Sequence, residues 1–261
     1  MSSVVNLVIF AIVWQKALLQ PIDDPTTVAS TPKIPEQLVK MGQSLEEIPQ
    51  GCAEIKILNV AYNQISTLPA YIFSNKTFKS LTKIELNQNR ISEIHSTAFR
   101  GLKQLTTVIL SDNNITSLDP WTFKNNHKLE KLDISRNSIT FSKQTVFLVS
   151  HTIQTLIVSF NKIDEISEFT FIGLPNLKNL VLDGNTLDSL GPKSFKSLSK
   201  LQYLSLANTG VYHLSKSMFS NNLPRIIDLQ DTPFSARFEP PLRTVRNEAV
   251  GNLLKIDEIF T

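Results

Sequence analysis

The feature that most constrains this chain is an eleven-residue pattern that occurs eight times at a nearly constant spacing. Residues 129–139, LEKLDISRNSI, show it best: apolar residues occupy the first, fourth, sixth and last positions, and an asparagine occupies the ninth. The asparagine position recurs after 26 residues, then five times after 24 residues, and finally after 23. A fixed period of this length is typical of a solenoid, in which each turn of chain stacks on the one before it.

Each repeat predicts one short strand. Leu132 and Ile134 alternate with polar residues, which is the period-two pattern of a strand with one buried face. Because the chain returns to the same edge through a crossover of about 20 residues, successive strands must run parallel. The sequence therefore predicts a parallel sheet of about eight strands, one from each repeat.

The asparagine column predicts a structural ladder along one edge of that sheet. An asparagine amide both donates and accepts hydrogen bonds, so it can satisfy backbone groups that would otherwise be buried unpaired. Thr209 and Thr232 occupy the last two positions, where a hydroxyl lacks the second donor hydrogen, so we expect the ladder to weaken there. The asparagines of the ladder are Asn63, Asn89, Asn113, Asn137, Asn161 and Asn185.

A second column is aromatic, with one phenylalanine in each of seven turns. Seven equivalent aromatic side chains predict a continuous spine in the core, since each buries roughly 150–250 Å². The fourth repeat has Ser142 where other repeats have an aliphatic residue, with Phe141 beside it, so its outer limb should depart locally from the others. The column consists of Phe73, Phe99, Phe123, Phe147, Phe171, Phe195 and Phe219.

The charge and the placement of the histidines argue against several classes of binding partner and of catalytic chemistry. The net charge is +3 and no run of like charges reaches five residues, so neither nucleic acid nor an acidic membrane surface is predicted as a partner. The histidines lie in different repeats without the spacing of metal ligands or of a catalytic triad. We therefore expect no enzymatic activity, no metal and no cofactor. The four histidines are His95, His127, His151 and His213.

Cys52 is the single cysteine of the chain. It excludes an intrachain disulfide and a cysteine-based zinc cluster. A small buried hydrophobe is one interpretation, since free cysteine is among the most buried residue types. The alternative is an intermolecular disulfide that links two copies in an oxidising compartment.

The amino-terminal residues predict a secreted protein. Residues 4–14 form an apolar block that is shorter than the roughly 20 residues a membrane-spanning helix needs. The block fits the hydrophobic core of a signal peptide, which we place at residues 1–19, and no stable membrane anchor is expected. An uncleaved signal anchor and a buried first helix are the alternatives, since no Lys or Arg precedes the block.

Three further segments complete the domain organisation. Residues 20–43 are predicted to be a proline-rich spacer. Residues 44–235 form the solenoid with its cysteine-poor amino-terminal cap, and residues 236–261 form a carboxyl-terminal capping segment. There Pro240 and Pro241 are predicted to start a helix whose apolar face includes Leu242, Val245 and Leu253 and closes the last turn of the solenoid. A short partner-binding or coiled-coil helix is the alternative.

Two acceptor triplets for N-glycosylation follow from the prediction of secretion. They begin at Asn75, in the longest interval between repeats, and at Asn114, directly after a ladder asparagine. We expect Asn75 to be modified. For Asn114 both outcomes stay open, because Ile115 should point inward.

The repeats resemble the 24-residue leucine-rich repeat of extracellular proteins, such as Toll-type receptor ectodomains, Slit-like proteins and secreted insect immune proteins. The resemblance implies an α/β solenoid shaped as a horseshoe, with the parallel sheet on its concave side and mostly loop and short helix on its convex side. Residues 45–51 resemble the end of that family's amino-terminal cap, and Thr232-Pro233-Phe234 resembles the start of its carboxyl-terminal cap. Ala236 and Phe238 stand where cysteines usually follow, so both caps should close by hydrophobic contact alone.

Residues between the buried columns of such a sheet face outward and are candidates for binding. The third residue of each strand forms one exposed row, which runs Asn59, Glu85, Ile109, Asp133, Ile157, Val181, Ser205, Asp228. An apolar group in three consecutive repeats consists of Ile157, Phe160, Val181 and Tyr203, and its polar rim consists of Asp133, Arg136 and Asp183. This is the composition of a protein interface, although ordinary surface is the alternative. The candidate protein-binding residues are Ile109, Lys131, Asp133, Arg136, Ile157, Phe160, Val181, Asp183 and Tyr203.

The sequence thus predicts a secreted protein-binding module that uses its concave face. A role in innate immunity or cell-surface signalling rests on analogy with the family's fold. The alternative is a structural matrix or cell-adhesion protein with a polymeric ligand, and a tethered receptor fragment is a third interpretation.

Overall fold

The computed structural model describes residues 36–257, and the side chains of residues 36–254. Their main element is a ten-stranded sheet in which the strands follow one another in chain order. All neighbouring strands are parallel except the last pair. The strands are Gln37–Val39, Ile57–Asn59, Lys83–Glu85, Thr107–Ile109, Lys131–Asp133, Thr155–Ile157, Asn179–Val181, Tyr203–Ser205, Ile226–Asp228 and Thr244–Arg246.

The register of the sheet repeats the sequence period. Leu132 pairs with Val108 on one side and with Leu156 on the other, and each of these side chains is fully buried. The residues before and after each central position face the opposite side of the sheet because side chains alternate along a strand. The predicted parallel solenoid with one strand per repeat is therefore confirmed.

The side opposite the main sheet is mostly loop and short helix. It holds two small parallel pairs, Thr67–Leu68 with Glu93–Ile94 and Glu165–Ile166 with Ser189–Leu190. The helical segments there are the four-residue helix Ile72–Asn75 and the 3-10 turns Lys216–Met218 and Ser235–Arg237. Within residues 36–257, no helix combines the length and the apolar content that crossing a membrane requires.

The aromatic column is buried but does not stack as one spine. The rings of Phe73, Phe99 and Phe123 follow one another at centroid distances of 5.3 and 4.9 Å, and those of Phe195 and Phe219 lie 5.3 Å apart. Between these two stacks a further aromatic ring enters the core and interrupts the column.

That extra ring belongs to Phe141 in the fourth repeat. It lies 4.7 Å from the ring of Phe147 and meets the ring of Phe171 edge-on at 5.7 Å. Ser142 is exposed, so the residue before it turns inward and fills the place that an aliphatic side chain takes in other repeats. The local departure of this repeat therefore has a physical cause, which is a one-residue shift in the inward-facing position.

The asparagine column ties consecutive turns together. The amide nitrogen of Asn113 donates to the carbonyl oxygens of Leu110 in its own turn and Leu86 in the preceding turn, at 3.1 and 2.9 Å. Its Oδ1 accepts from the backbone N–H of Ile91 at 2.9 Å. The hydroxyl of Thr209 donates to Leu206 at 2.6 Å, within its own turn. A hydroxyl carries one donor hydrogen, so this bond leaves none for the preceding turn.

The amino-terminal cap begins earlier than the sequence indicated. The prediction of a spacer over residues 20–43 is wrong at its carboxyl end, because Gln37–Val39 pair with Ile57–Asn59 as the first strand of the sheet. The backbone of Gln43 and Leu45 then donates to Oδ1 of Asn63, which joins the cap to the ladder. The predicted signal peptide and the spacer up to residue 35 lie outside the described residues.

The carboxyl-terminal helix begins later than predicted. Thr244–Arg246 form an antiparallel strand against Ile226–Asp228, and the helix is Glu248–Asp257. Leu242 and Val245 therefore precede the helix, and the prediction that it starts at Pro240 is wrong. An uncovered last strand would expose a row of unpaired backbone groups, and this antiparallel strand satisfies them.

Candidate functional site

The outward side of the eight repeat strands forms a continuous surface, here called the sheet face. It consists of the first and third residue of each strand. Most of these side chains are half-buried, because neighbouring strands lie only about 4.8 Å apart and each side chain covers part of the next. Ser205 is an exception: it was expected to be exposed but is fully buried.

A second row follows the sheet face where the chain leaves each strand. It contains the residue directly before each ladder position, and every member has a positive φ between 53° and 66°. This conformation is unusual for residues other than glycine, asparagine and aspartate. The members of this left-handed row are Tyr62, Gln88, Asp112, Arg136, Phe160, Gly184, Asn208 and Asp231.

Hydrogen bonds between turns hold the left-handed row in place. The backbone N–H of Arg136 donates to the carbonyl of Ser159, and that of Phe160 donates to the carbonyl of Asp183, at 2.8 and 2.7 Å. The conformation costs a non-glycine residue roughly 1–2 kcal/mol, which the inward-facing asparagine and the bond to the next turn offset. The row turns its side chains outward, so Tyr62 and Phe160 are 50% and 45% exposed.

The ring of Phe160 is held between two neighbours of this row. The guanidinium carbon of Arg136 lies 4.4 Å from the ring centroid, within the range of a cation–π interaction. On the next turn Gly184 lies against the ring, since a Cβ at Gly184 would be 2.4 Å from Cδ1 of Phe160. The exposed aromatic side chain therefore has a fixed orientation before any partner arrives.

The structure places some of the apolar candidate residues of the sheet face next to one another. Ile157 and Val181 pair directly in adjacent strands and are both half-buried. Tyr203 lies one strand further, in the row of first residues. Ile109 is separated from Ile157 by the strand that carries Asp133, so it stands apart from this group.

Lys131 and Asp133 flank the apolar group on one strand. Lys131 is exposed at the start of the strand. Oδ1 of Asp133 accepts from the backbone N–H and the hydroxyl of Ser135, at 3.0 and 2.7 Å. This carboxylate therefore also stabilises the turn that leads to Arg136.

Asp183 lies two residues beyond the strand that carries Val181. Burial raises the pKa of its carboxyl, and the Asp228 carboxylate acts in the same direction, while the Ser205 hydroxyl and the Ala207 amide oppose the shift. Within the described residues, Oδ1 of Asp183 is buried and completes no hydrogen bond of good geometry. A polar group buried in this state costs free energy.

The predicted glycosylation sites differ in their surroundings. Asn75 is exposed at the end of the helix Ile72–Asn75, and the hydroxyl of Thr77 donates to the carbonyl of Gly51 at 2.6 Å. Asn114 is also exposed, although Ile115 in the same triplet is fully buried. Both asparagine side chains are thus accessible from solvent.

Cys52 is half-buried and packs against the edge of the core. Among residues 36–254, no group of three His, Cys, Asp or Glu side chains is placed to hold a metal ion. His127 and His151 do line one groove, which the sequence spacing did not indicate.

Comparisons with solved structures recover the same architecture. The leucine-rich repeat domain of APL1B shares 22% identity over 76% of this chain and 55% of its own, with a TM-score of 0.59. A chain of the octameric complex of Latrophilin 3, Unc5D and FLRT2 (LRR) shares 22% identity over 73% of this chain and 65% of its own, with a TM-score of 0.61. The TLR13–ssRNA13 complex shares 26% identity over 68% of this chain and 25% of its own, with a TM-score of 0.58. The present chain thus corresponds to less than two thirds of each of these proteins.

Sequence comparison identifies the family. No curated protein is significantly similar to the chain. The model of the leucine-rich repeat, however, matches residues 53–115, 103–148 and 151–211, which together make up more than half of the chain. These residues contain seven of the ten strands of the main sheet, the six ladder asparagines and all of the left-handed row except Asp231. The chain belongs to the leucine-rich repeat family.

Proposed function

We propose that the chain is a secreted protein-binding module whose sheet face, together with the adjoining left-handed row, recognises a protein ligand. The observation that carries the proposal is the fixed, exposed ring of Phe160 between Arg136 and Gly184. Aromatic and arginine side chains dominate the binding energy of protein interfaces, and a ring that is already ordered loses little entropy on binding. Ile157 and Val181 supply apolar area beside it.

Polar candidates complete the proposed surface. Asp183 lies beside the apolar group as a half-buried acidic residue of its rim. Lys131 and Asp133 flank the apolar group on one side, Tyr203 lies at its other end, and Ile109 lies one strand beyond Asp133. Eight strands at about 4.8 Å span on the order of 35 Å, a width that suits a folded protein ligand.

A screen against extracellular proteins, followed by a substitution series, tests this surface. Phe160→Ala should weaken the captured interaction by at least about 2 kcal/mol, roughly thirtyfold in Kd, as expected for an anchor residue. Ile157→Asp should also abolish it, by placing a carboxylate in an apolar contact. Tyr62→Ala is the matched control, because it removes an equally exposed aromatic ring from the same left-handed row, four turns away. A ligand that responds to Tyr62→Ala but not to Phe160→Ala would disprove the proposed location.

The biological setting is a further part of the proposal. Innate immunity and cell-surface signalling are suggested by likeness of fold to APL1B, to TLR13 and to the complex of Latrophilin 3, Unc5D and FLRT2. The TLR13 structure contains single-stranded RNA, so single-stranded RNA belongs among the test ligands. A matrix polymer as the bound ligand would instead favour the structural or adhesive role.

Secretion is proposed on the apolar block at residues 4–14 and on the exposure of both acceptor asparagines. Protein recovered from the medium of expressing cells should lack the leader and carry glycan at Asn75. Asn75→Gln, with Asn114→Gln in parallel, identifies the occupied site by a mass shift after glycosidase treatment. Intact amino termini on cytosolic, unglycosylated protein would refute secretion.

A Cys52-linked dimer remains part of this proposal, supported by the incomplete burial of the thiol. A non-reducing gel of secreted protein should then show a dimer that Cys52→Ser removes. A monomer under both conditions would end this idea.

A further inference from the structure

A polar groove runs along one flank of the solenoid, beside the sheet face. It encloses about 430 Å³ and is formed by the loops that enter the strands, from the third repeat to the seventh. Three lysines, Lys128, Lys178 and Lys200, contribute to its walls, and Glu130 is the acidic residue among its lining side chains. We call it the flank groove.

The three lysines are ordered by neutral acceptors. Nζ of Lys128 donates to Oε1 of Gln104 at 2.6 Å, and Nζ of Lys178 donates to Oε1 of Gln154 at 2.9 Å. Each donor and acceptor are 24 residues apart, which is one turn of the solenoid.

The third lysine repeats this arrangement. Nζ of Lys200 donates to Oδ1 of Asn176 at 2.6 Å, again one turn earlier. In all three cases an amide oxygen fixes the ammonium group without neutralising its charge.

Some lysines elsewhere on the molecule are paired with carboxylates instead. Lys56, Lys143 and Lys193 form ion pairs with glutamates at 2.9, 3.0 and 3.4 Å. No carboxylate among the described side chains lies within ion-pair distance of the groove lysines. With three lysines and one glutamate in its lining, the flank groove carries a net positive charge.

The solenoid period arranges these charges along a line. Lys128 and Lys200 occupy equivalent positions three turns apart, roughly 14 Å at about 4.8 Å per turn. Lys178 lies between them in a neighbouring column, and His127 and His151 occupy adjacent turns of another. An extended ligand with repeated negative groups would meet these side chains in succession.

The remaining lining residues decide the chemical class of that ligand. They are threonines, amides and two imidazoles, and the lining contains no Phe, Tyr or Trp and no aliphatic residue; these residues are Thr106, Thr152, Gln154, Asn176, His127 and His151. Single-stranded nucleic acids are bound without sequence preference mainly by stacking on aromatic side chains. Extended peptides are selected by pockets for their side chains. Hydroxyl and amide groups beside lysines instead suit an anionic sugar chain.

We infer that the flank groove binds a linear sulfated polysaccharide. Its sulfate groups contact Lys128, Lys178 and Lys200, and its hydroxyls exchange hydrogen bonds with the amides and threonines between them. This site lies apart from the sheet face and does not depend on the function proposed there.

Heparin-derived oligosaccharides of defined length are the probe for this inference. The full chain should bind them at physiological salt, and replacing Lys128, Lys178 and Lys200 together by Gln should weaken binding at least tenfold. That loss is about one charge-assisted hydrogen bond in magnitude, so it is a lower bound. Glu130→Gln should strengthen binding, because it removes the carboxylate from the lining, and a purely structural role would not predict this sign.

A second triple variant controls for net charge. Replacing Lys56, Lys143 and Lys193 by Gln removes the same charge from paired lysines elsewhere and should leave heparin binding unchanged. Equal losses in the two triple variants would overturn the inference, since binding would then follow overall charge. Equal binding of desulfated heparin would also overturn it, and so would tighter binding of poly-glutamate or of single-stranded RNA.

Discussion

Gly51 shows how a single residue limits the amino-terminal cap. It lies against the buried ring of Phe78, and a Cβ at this position would be 2.2 Å from Cε1 of that ring. Phe78 is 1% exposed and its ring packs against that of Phe73, so it has little room to move. The absence of a side chain at Gly51 is therefore a packing requirement of the cap.

Gly51→Ala should lower the free energy of unfolding by about 1–3 kcal/mol, the usual cost of overpacking a core. Gly251→Ala is the matched control, because its Cβ would meet Leu223 at 3.7 Å within the carboxyl-terminal helix. That change should instead stabilise by up to about 1 kcal/mol through helix propensity. Urea unfolding of both variants decides the matter, and equal shifts of the same sign would contradict the packing argument.

Asp183 gives a second prediction from a single residue, which concerns how the free energy of unfolding depends on pH. Burial raises the pKa of this carboxyl in the folded state, so folding favours its protonated form. The resulting penalty is fully present above the raised pKa and disappears below the ordinary aspartate pKa of about 3.9. Asp183→Asn should therefore raise the free energy of unfolding at neutral pH, and this gain should shrink in acid.

Denaturation of Asp183→Asn and its parent at several pH values measures this difference. Asp231→Asn provides the control, since Asp231 is exposed in the left-handed row. A gain that is independent of pH would show that the carboxylate's ionisation is not its cause.

Single residues also show which features of the structure could be predicted from the sequence and which could not. The asparagine ladder could be found because one residue type recurs at one position. The left-handed row could not, because Tyr62, Arg136 and Phe160 do not favour positive φ, and hydrogen bonds between turns impose it. Only Gly184 and the Asn or Asp members of the row carry a local signal for that conformation. The contact of Arg136 with Phe160 depends on the conformation of this row, so the sequence did not predict this contact either.

At the scale of elements, the repeats were predictable and the ends were not. Each repeat strand is supported by seven others with the same pattern, whereas Gln37–Val39 and Thr244–Arg246 occur once each. Prolines precede both strands, and they favoured the predictions of a spacer before the first strand and of a helix start before the last. Their pairing is decided by the open edges of the sheet, which is a tertiary requirement and leaves no periodic trace in the sequence.

The carboxyl-terminal strand is expected to close the solenoid. Val245 is 8% exposed and pairs with Ile227, whereas Thr244 and Arg246 on either side are exposed. Val245→Asp should destabilise the cap by about 3 kcal/mol, because it replaces buried apolar area with a carboxylate that has no partner. Thr244→Asp, which points away from the core, should change stability by less than about 0.5 kcal/mol.

Hydrogen exchange locates this effect along the chain. Repeat proteins are stabilised mainly by contacts between neighbouring turns, so damage at one end should spread inward from that end. Amides of the last two repeats in Val245→Asp should lose protection, while those of the first repeats should keep it. A uniform loss across all turns would show that the solenoid unfolds as one cooperative unit.

At the scale of the whole molecule, the flank groove and the ring of Phe160 lie at opposite ends of the short strands. The flank groove is built from residues that precede each strand, such as Gln154, whereas Phe160 follows its strand by three residues. Exposed charges separated by more than the Debye length, about 8 Å at physiological salt, are largely screened.

The two surfaces should therefore act independently. Phe160→Ala should leave heparin affinity within about twofold of the parent, and the triple lysine variant should do the same for the protein ligand, as for separate sites without shared contacts. Titration of one ligand in the presence of the other measures the coupling directly. A shared loss of both affinities in either variant would mean that one extended ligand surface, rather than two, runs across the strands. Independent binding would let a single solenoid attach to a sulfated matrix through its flank while its sheet face remains open to a protein.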